Sequence, residues 1–137
     1  MRKVTLIIQS KLDNVALVGT AIQGLCVLTP LSLPAIDDVQ LCVVESVNNV
    51  IEHSYANQEN DLVEIVVNLY SDGLVIEIKD TGVAMDTSLL KFVTSPDITR
   101  KLPEGGWGLY IIKSRMDEVT YQTCDQTNIL RLVKRFT

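Results

Sequence analysis

The spacing of apolar residues changes along this chain, and the changes mark its elements. Val4, Leu6, Ile7 and Ile8 make Arg2 to Gln9 a short run rich in β-branched residues, which predicts a strand. Asp13 to about Leu28 reads as a helix, with Ser10 or Asp13 as its cap and Pro30 beyond its end. Pro34 suits a first helical turn and predicts a second helix from Ala35 to about Tyr55. In that helix Ile36, Val39, Val43, Val47 and Val50 share one side. Leu62 to Tyr70 and Leu74 to Lys79 are β-rich and flank Ser71-Asp72-Gly73, where Asp-Gly signals a hairpin.

After Asp80 the pattern lapses. Thr81 to Gly106 reads as a loop broken by Pro96 and Pro103, with a short helix at Ser88 to Phe92. A connection of that length in a compact domain is usually functional or disordered. A third helix, Trp107 to about Asp117, leads into strands at Val119 to Thr123 and Asn128 to Arg135. The order β-α-α-β-β-loop-α-β-β predicts an α+β, two-layer sandwich with helices on one face of a mostly antiparallel mixed sheet. With no repeat, low-complexity tract or linker, residues 1–137 form one domain.

Composition narrows the function. The chain has 137 residues, 47% of them hydrophobic, enough for one packed core. Twelve basic against 17 acidic side chains leave a net charge of −5, which repels a phosphate backbone and argues against direct nucleic-acid binding. The basic pairs Arg100-Lys101 and Lys134-Arg135 are too small for such a footprint. The run Val4 to Ile8 is too short for a signal-peptide core, and nowhere do about 18 apolar residues run together, so a cytoplasmic protein with no membrane segment is expected. Cys26, Cys42 and Cys124 are odd in number, far apart and set among apolar residues, which predicts buried reduced thiols. One histidine and no CxxC argue against zinc.

Three motifs carry candidate chemistry. On the second helix Glu45, Asn49 and His53 project as one stripe, a carboxylate, an amide and an imidazole that can take a hydroxyl proton, hold Mg²⁺ and meet phosphate. An ordinary solvated helix face has the same pattern. Asp80-Thr81-Gly82-Val83-Ala84 follows a Val/Ile-rich strand; Asp80 can accept from an exocyclic amine such as adenine's, and Gly82 lets the backbone approach a flat ring. A turn that merely ends the strand is the alternative. Glu104 to Ile112 places Gly105, Gly106 and Gly108 at the start of an apolar helix, either a phosphate cradle or a hinge without a ligand. It is neither a Walker A loop nor a Rossmann turn.

Taken in order, these segments resemble the N, G1 and G2 boxes of the GHKL ATPases, which have the Bergerat fold. The finer pattern, Glu-x-x-x-Asn-x-x-x-His, Asp-x-Gly-x-Ala and Glu-Gly-Gly-x-Gly-Leu-x-Ile-Ile, with Met116 to Val119 after it, is similar to the anti-sigma-factor serine/threonine kinases. The resemblance implies Glu45 as the base activating a protein hydroxyl, Asn49 as the Mg²⁺ ligand and Asp80 as the adenine reader. Gly82 and Ala84 would line the adenine pocket. Gly105, Gly106 and Gly108, with Trp107 and Leu109, would form the hinge and phosphate-contacting turn of an ATP lid, and Arg100 or Lys101 would reach the γ-phosphate. His53 would meet the phosphates or support the site. Thr127 falls near a Gly-Thr pair of the family, although Gln126 replaces the glycine, and Ala84 stands where many relatives carry a third glycine.

The same resemblance implies ATP and Mg²⁺ as cofactors, a STAS-domain anti-sigma-factor antagonist as phosphate acceptor, a sigma factor or other regulated protein as second partner, and a homodimer. A silent nucleotide-binding module that sequesters a partner is the alternative. A detached histidine-kinase domain fits less well, because no dimerisation helix bearing an acceptor histidine precedes it.

Overall fold

The computed structural model describes residues 1–86 and 106–137. The expected helix at Ser88 to Phe92 lies outside the described residues. The chain forms β1 (Arg2–Gln9), a 3-10 turn (Leu12–Asn14), α1 (Val15–Cys26), α2 (Leu33–Asn49), a π-helical turn (Val50–Ser54), β2 (Leu62–Leu69), β3 (Gly73–Asp80), α3 (Gly106–Arg115), β4 (Glu118–Cys124) and β5 (Thr127–Arg135). The strands make one sheet in the order β1-β2-β3-β5-β4, and every pairing is antiparallel. The α+β architecture is the one the element order predicts, without the parallel pair a mixed sheet would contain.

The central helix illustrates how local sequence sets this arrangement. Ser32 caps α2 by accepting from Ala35 N at 3.3 Å, and Pro34 occupies the first turn, where no amide donor is missed. Ile36, Val39, Val43 and Val47 recur at helical spacing and are buried, with Cys42 and Ser46 beside them. Each such valine contributes about 1.5–3 kcal/mol by leaving water. α2 packs between α1 and α3, so the side chains on its remaining face are brought against α3.

At its C-terminal end α2 widens into the π turn, where Tyr55 N donates to Val50 O at 2.9 Å. Asn57 N then reaches back to Ile51 O at 2.8 Å, and Ala56 and Asn57 adopt φ of 49° and 63° to make that reversal.

Three local expectations are corrected. Ser10 does not cap α1: it is buried, and its hydroxyl donates to Gln58 O and accepts from Asp61 N at 3.2 Å, tying the end of β1 to the start of β2. Asp13 falls in the 3-10 turn, and α1 begins after Asn14 without a side-chain cap bond. The first hairpin turns on Ser71-Asp72, because Gly73 opposes Tyr70; a side chain at Gly73 would come within 2.8 Å of Lys134 O on β5. Finally, Cys26 and Cys42 are buried free thiols, but Cys124 is exposed at the end of β4, among Thr123 and Asp125 rather than apolar neighbours.

Candidate functional site

The site forms where β3 runs out beneath the end of α2. Asp80 is the last residue of β3 and lies opposite Asn128 of β5. Although a carboxylate, it is only 4% exposed. Its Oδ1 accepts from Gly82 N at 2.9 Å and from Asn128 Nδ2 at 2.8 Å. Both bonds fall on one oxygen, which leaves Oδ2 for the cavity that Asp80 lines. Burial raises the Asp80 pKa above its ordinary value, and the bonds from Asn128 and Gly82 oppose that rise.

The turn after Asp80 is held in place by the π turn. A side chain at Gly82 would put its first carbon 2.3 Å from Ser54 O, and Val83 N donates to that same carbonyl at 2.9 Å. Only glycine permits this approach. The buried Tyr55 hydroxyl donates to Leu62 O at 2.7 Å and accepts from Thr81 N at 2.9 Å, so one side chain joins the end of the helix, β2 and the turn.

Across the site, α3 approaches the polar face of α2. The first carbon of a side chain at Gly108 would lie 3.1 Å from Glu45 Oε2 and 3.3 Å from Asn49 Nδ2. Glu45 and Asn49 are half-buried there, while His53, within the π turn, is exposed. Asn49 and His53 line the cavity; Glu45 stands beside it, against Gly108.

The cavity itself measures about 220 Å³. That is below the roughly 300–1,000 Å³ of sites that enclose a whole drug-sized ligand, and suits a ring rather than a complete nucleotide. Its walls are mostly apolar in area, from Val50, Val83, Ala84, Met85, Leu109 and Leu130, with Asp80, Asn49, Ser46 and His53 among the polar members. Tyr121 of β4 closes one side and accepts from Met85 N at 2.8 Å. Burial also holds the Tyr121 hydroxyl above its ordinary pKa.

Asn49, His53, Asp80, Ala84 and Leu109 thus line one cavity, framed by Glu45, Gly82 and Gly108. Gly106 and Trp107 lie in the first turn of α3. Arg100, Lys101 and Gly105 fall outside the described residues. Thr127 does not line the cavity: successive side chains of a strand face opposite ways, and it is Asn128 that points to Asp80. Asn128, Tyr121, Met85 and Leu130 were not singled out from the sequence. For Asn128 the available signal was an amide near the start of a strand, two and four residues before the apolar Leu130 and Leu132 on the same face.

Among the described residues no three His, Cys, Asp or Glu side chains are placed to hold a metal together. No helix among them is long and apolar enough to cross a membrane.

Comparison with known proteins places this geometry. Residues 8–134 match the family model of the histidine kinase-like ATPase domain. The serine-protein kinase RsbW of Bacillus cereus strain AH187 is 31% identical over 121 residues, covering 85% of this chain and 75% of that protein. RsbW of Bacillus cereus strain G9842 is 32% identical over the same length. Among solved structures, the SiaB–SiaC complex from Pseudomonas aeruginosa contains a chain that superposes with a TM-score of 0.74 at 14% identity, over 95% of this chain and 88% of that one. A Mycobacterium tuberculosis structure of RsbU and RsbW domains gives a TM-score of 0.70 at 14% identity over 98% of this chain, which spans 32% of that longer one. At 14% identity these structures speak for the fold, and the curated relatives speak for the family. The chain belongs to the histidine kinase-like ATPase domain family, where it stands with the ATP-dependent serine-protein kinases of the RsbW kind.

Proposed function

We propose that this chain transfers the γ-phosphoryl group of ATP to a serine or threonine hydroxyl of a STAS-domain anti-sigma-factor antagonist, and that it alternates between that antagonist and a sigma factor. The observation that carries the reading is the meeting of Glu45 and Asn49 at Gly108, beside the cavity that Asp80 lines. A base, an amide and a buried acceptor are thereby gathered around one opening.

The residues fit a nucleotide. Asp80 Oδ2 is an acceptor open to a ring-sized cavity, and Gly82, packed tightly against Ser54, holds the turn that carries the apolar walls Val83 and Ala84. The first turn of α3 leaves backbone N–H groups without partners inside the helix, which suits phosphate. Asn49 would be the protein's ligand to Mg²⁺, a cation that commonly takes few protein ligands and completes its shell with phosphate and water. Bound there, ATP–Mg²⁺ supplies the phosphoryl group and neutralises the charge spread over its oxygens.

The chain's own part is positioning and proton transfer. Glu45 accepts the proton of the incoming hydroxyl as that oxygen becomes the nucleophile. Asp80 orients the base, and the apolar walls exclude water from it. Arg100 or Lys101 would reach the γ-phosphate, and a homodimer in the cytoplasm completes the reading, both resting on the family resemblance.

The test is to mix the chain with ATP, Mg²⁺ and a STAS-domain antagonist and to weigh the antagonist by mass spectrometry. One added phosphoryl group, lost in Glu45→Ala while ATP binding persists, is the expected result. An unchanged mass with ATP bound would leave a nucleotide-dependent binding module instead. Light scattering at micromolar concentration tests the dimer, which a monomeric mass would remove.

A further inference from the structure

Asn128 has no part in the chemistry above, yet each polar group of its side chain is committed. It is 1% exposed; Nδ2 donates to Asp80 Oδ1 at 2.8 Å and to Gly82 O at 3.0 Å, while Oδ1 accepts from Thr123 Oγ1 at 2.8 Å. A carboxylate and a carbonyl can only accept, so a single orientation of the amide satisfies the set. Gly82 N donates to the same Asp80 Oδ1. Two N–H groups on one oxygen exclude a proton from it. A proton on Asp80 must therefore sit on Oδ2, the atom left to the cavity.

We propose that Asn128 is a positioning residue that sets base choice: it holds Asp80 as an acceptor-only carboxylate, so that the cavity takes a base with an exocyclic amine and refuses one with a carbonyl there. The proposal rests on the nucleotide reading given above. An ionised carboxylate oxygen accepts from an amine, whereas a protonated one donates and would welcome a carbonyl. Burial favours protonation, and the Asn128 bond is one of two that oppose it. Thr123 acts one step further out by fixing the amide.

Other titratable groups around the cavity are His53 from the π turn, Asp86 from the segment after β3 and Tyr121 from β4. Lys79 adjoins Asp80 in the strand, on the opposite face. Among the described residues the bonds to Asp80 Oδ1 come from Gly82 and Asn128.

Calorimetric titration with ATP and with ITP, which differs at the amine, tests this at about pH 6 and about pH 8 in wild type, Asn128→Leu and Thr123→Val. Carbon NMR of the Asp80 carboxyl in the nucleotide-free protein gives a second readout. Wild type should prefer ATP at both pH values, by about tenfold or more. Asn128→Leu should narrow that preference about tenfold at the lower pH and less at the higher, with the Asp80 titration moved upward. Thr123→Val should move it in the same direction by less. An Asp80 titration that stays put, or a preference that narrows equally at both pH values, would reduce Asn128 to a packing role. Should Asn128→Leu not fold, Thr123→Val decides, since it leaves Asn128 in place. Wild type that binds neither nucleotide would overturn the nucleotide reading and this inference together; wild type that binds ATP with an unmoved Asp80 titration in the variants would overturn this inference alone.

Discussion

Gly108 meets Glu45 across the α2–α3 interface with room for a hydrogen and little more, since a first side-chain carbon there would stand 3.1 Å from Glu45 Oε2. Alanine in a helix is worth about 0.5–1 kcal/mol over glycine. The Glu45 carboxylate is the flexible end of a side chain and can swing away from the added methyl. Gly108→Ala should therefore keep its folding stability within about 1 kcal/mol while phosphotransfer falls about tenfold or more. Denaturant unfolding and a phosphotransfer assay check the two halves. Undiminished transfer would show that the position of Glu45 at Gly108 is unimportant.

Asp80 is expected to pull stability and binding in opposite directions. Its folded pKa is raised by burial, so between the ordinary carboxylate range and that raised value the folded protein holds a proton the unfolded chain has lost. Stability from this group thus falls as pH rises through that window. Asparagine in its place keeps an Oδ1 for Gly82 and Asn128 but carries no charge. Nucleotide-free Asp80→Asn should melt above wild type at neutral pH, with the gap closing as pH falls toward about 4. Its ATP affinity should drop about tenfold or more. Calorimetry reads both, and a variant melting below wild type at neutral pH would refute the sign.

The hairpin joining β4 to β5 is built on a strained pair. Asp125 and Gln126 take φ of 51° and 66°, a conformation that suits the twist of a two-residue hairpin but crowds a side chain. Gln126→Gly should raise stability by about 1 kcal/mol, or a few degrees in melting temperature. Nucleotide affinity should not change, because Gln126 does not line the cavity. Denaturant titration of the two proteins measures the gain.

The thiols should react in sharply different ways. Burial pushes Cys26 to about 11 and Cys42 to about 12, while Cys124 is exposed. Alkylation of the folded protein near neutral pH should add one group, at Cys124, and alkylation in denaturant should add three. Peptide mapping locates the adducts; rapid labelling of Cys42 in the folded state would contradict its place in the core.

Much of this fold was legible because its information is local. The buried stripe of α2 recurs every three or four residues, and the Val/Ile content of β2 and β3 needs no partner to be read. Asp80 and Gly82 announced themselves by standing at a strand end. What stayed hidden depends on register. Nothing local pairs Asn128 with Asp80, since 48 positions separate them and only the β3–β5 alignment sets them opposite. Thr127, named from the family's Gly-Thr pair, is the strand neighbour of Asn128, and adjacent strand residues face opposite ways, so only the register tells which of the two meets Asp80. The π turn was equally silent: Val50 to Ser54 has ordinary helical residues, and only the fold brings Ser54 O against Gly82 and the N–H of Val83.

The pairing of β3 with β5 also decides when the site can exist. The Asp80 carboxylate is bonded by an amide 48 positions away, so this end of the cavity is complete only where β3 and β5 are paired. A ligand that binds the folded chain there stabilises it by mass action, about 2.7 kcal/mol at a hundredfold excess over Kd. For such a domain a supply of ligand is also a supply of stability.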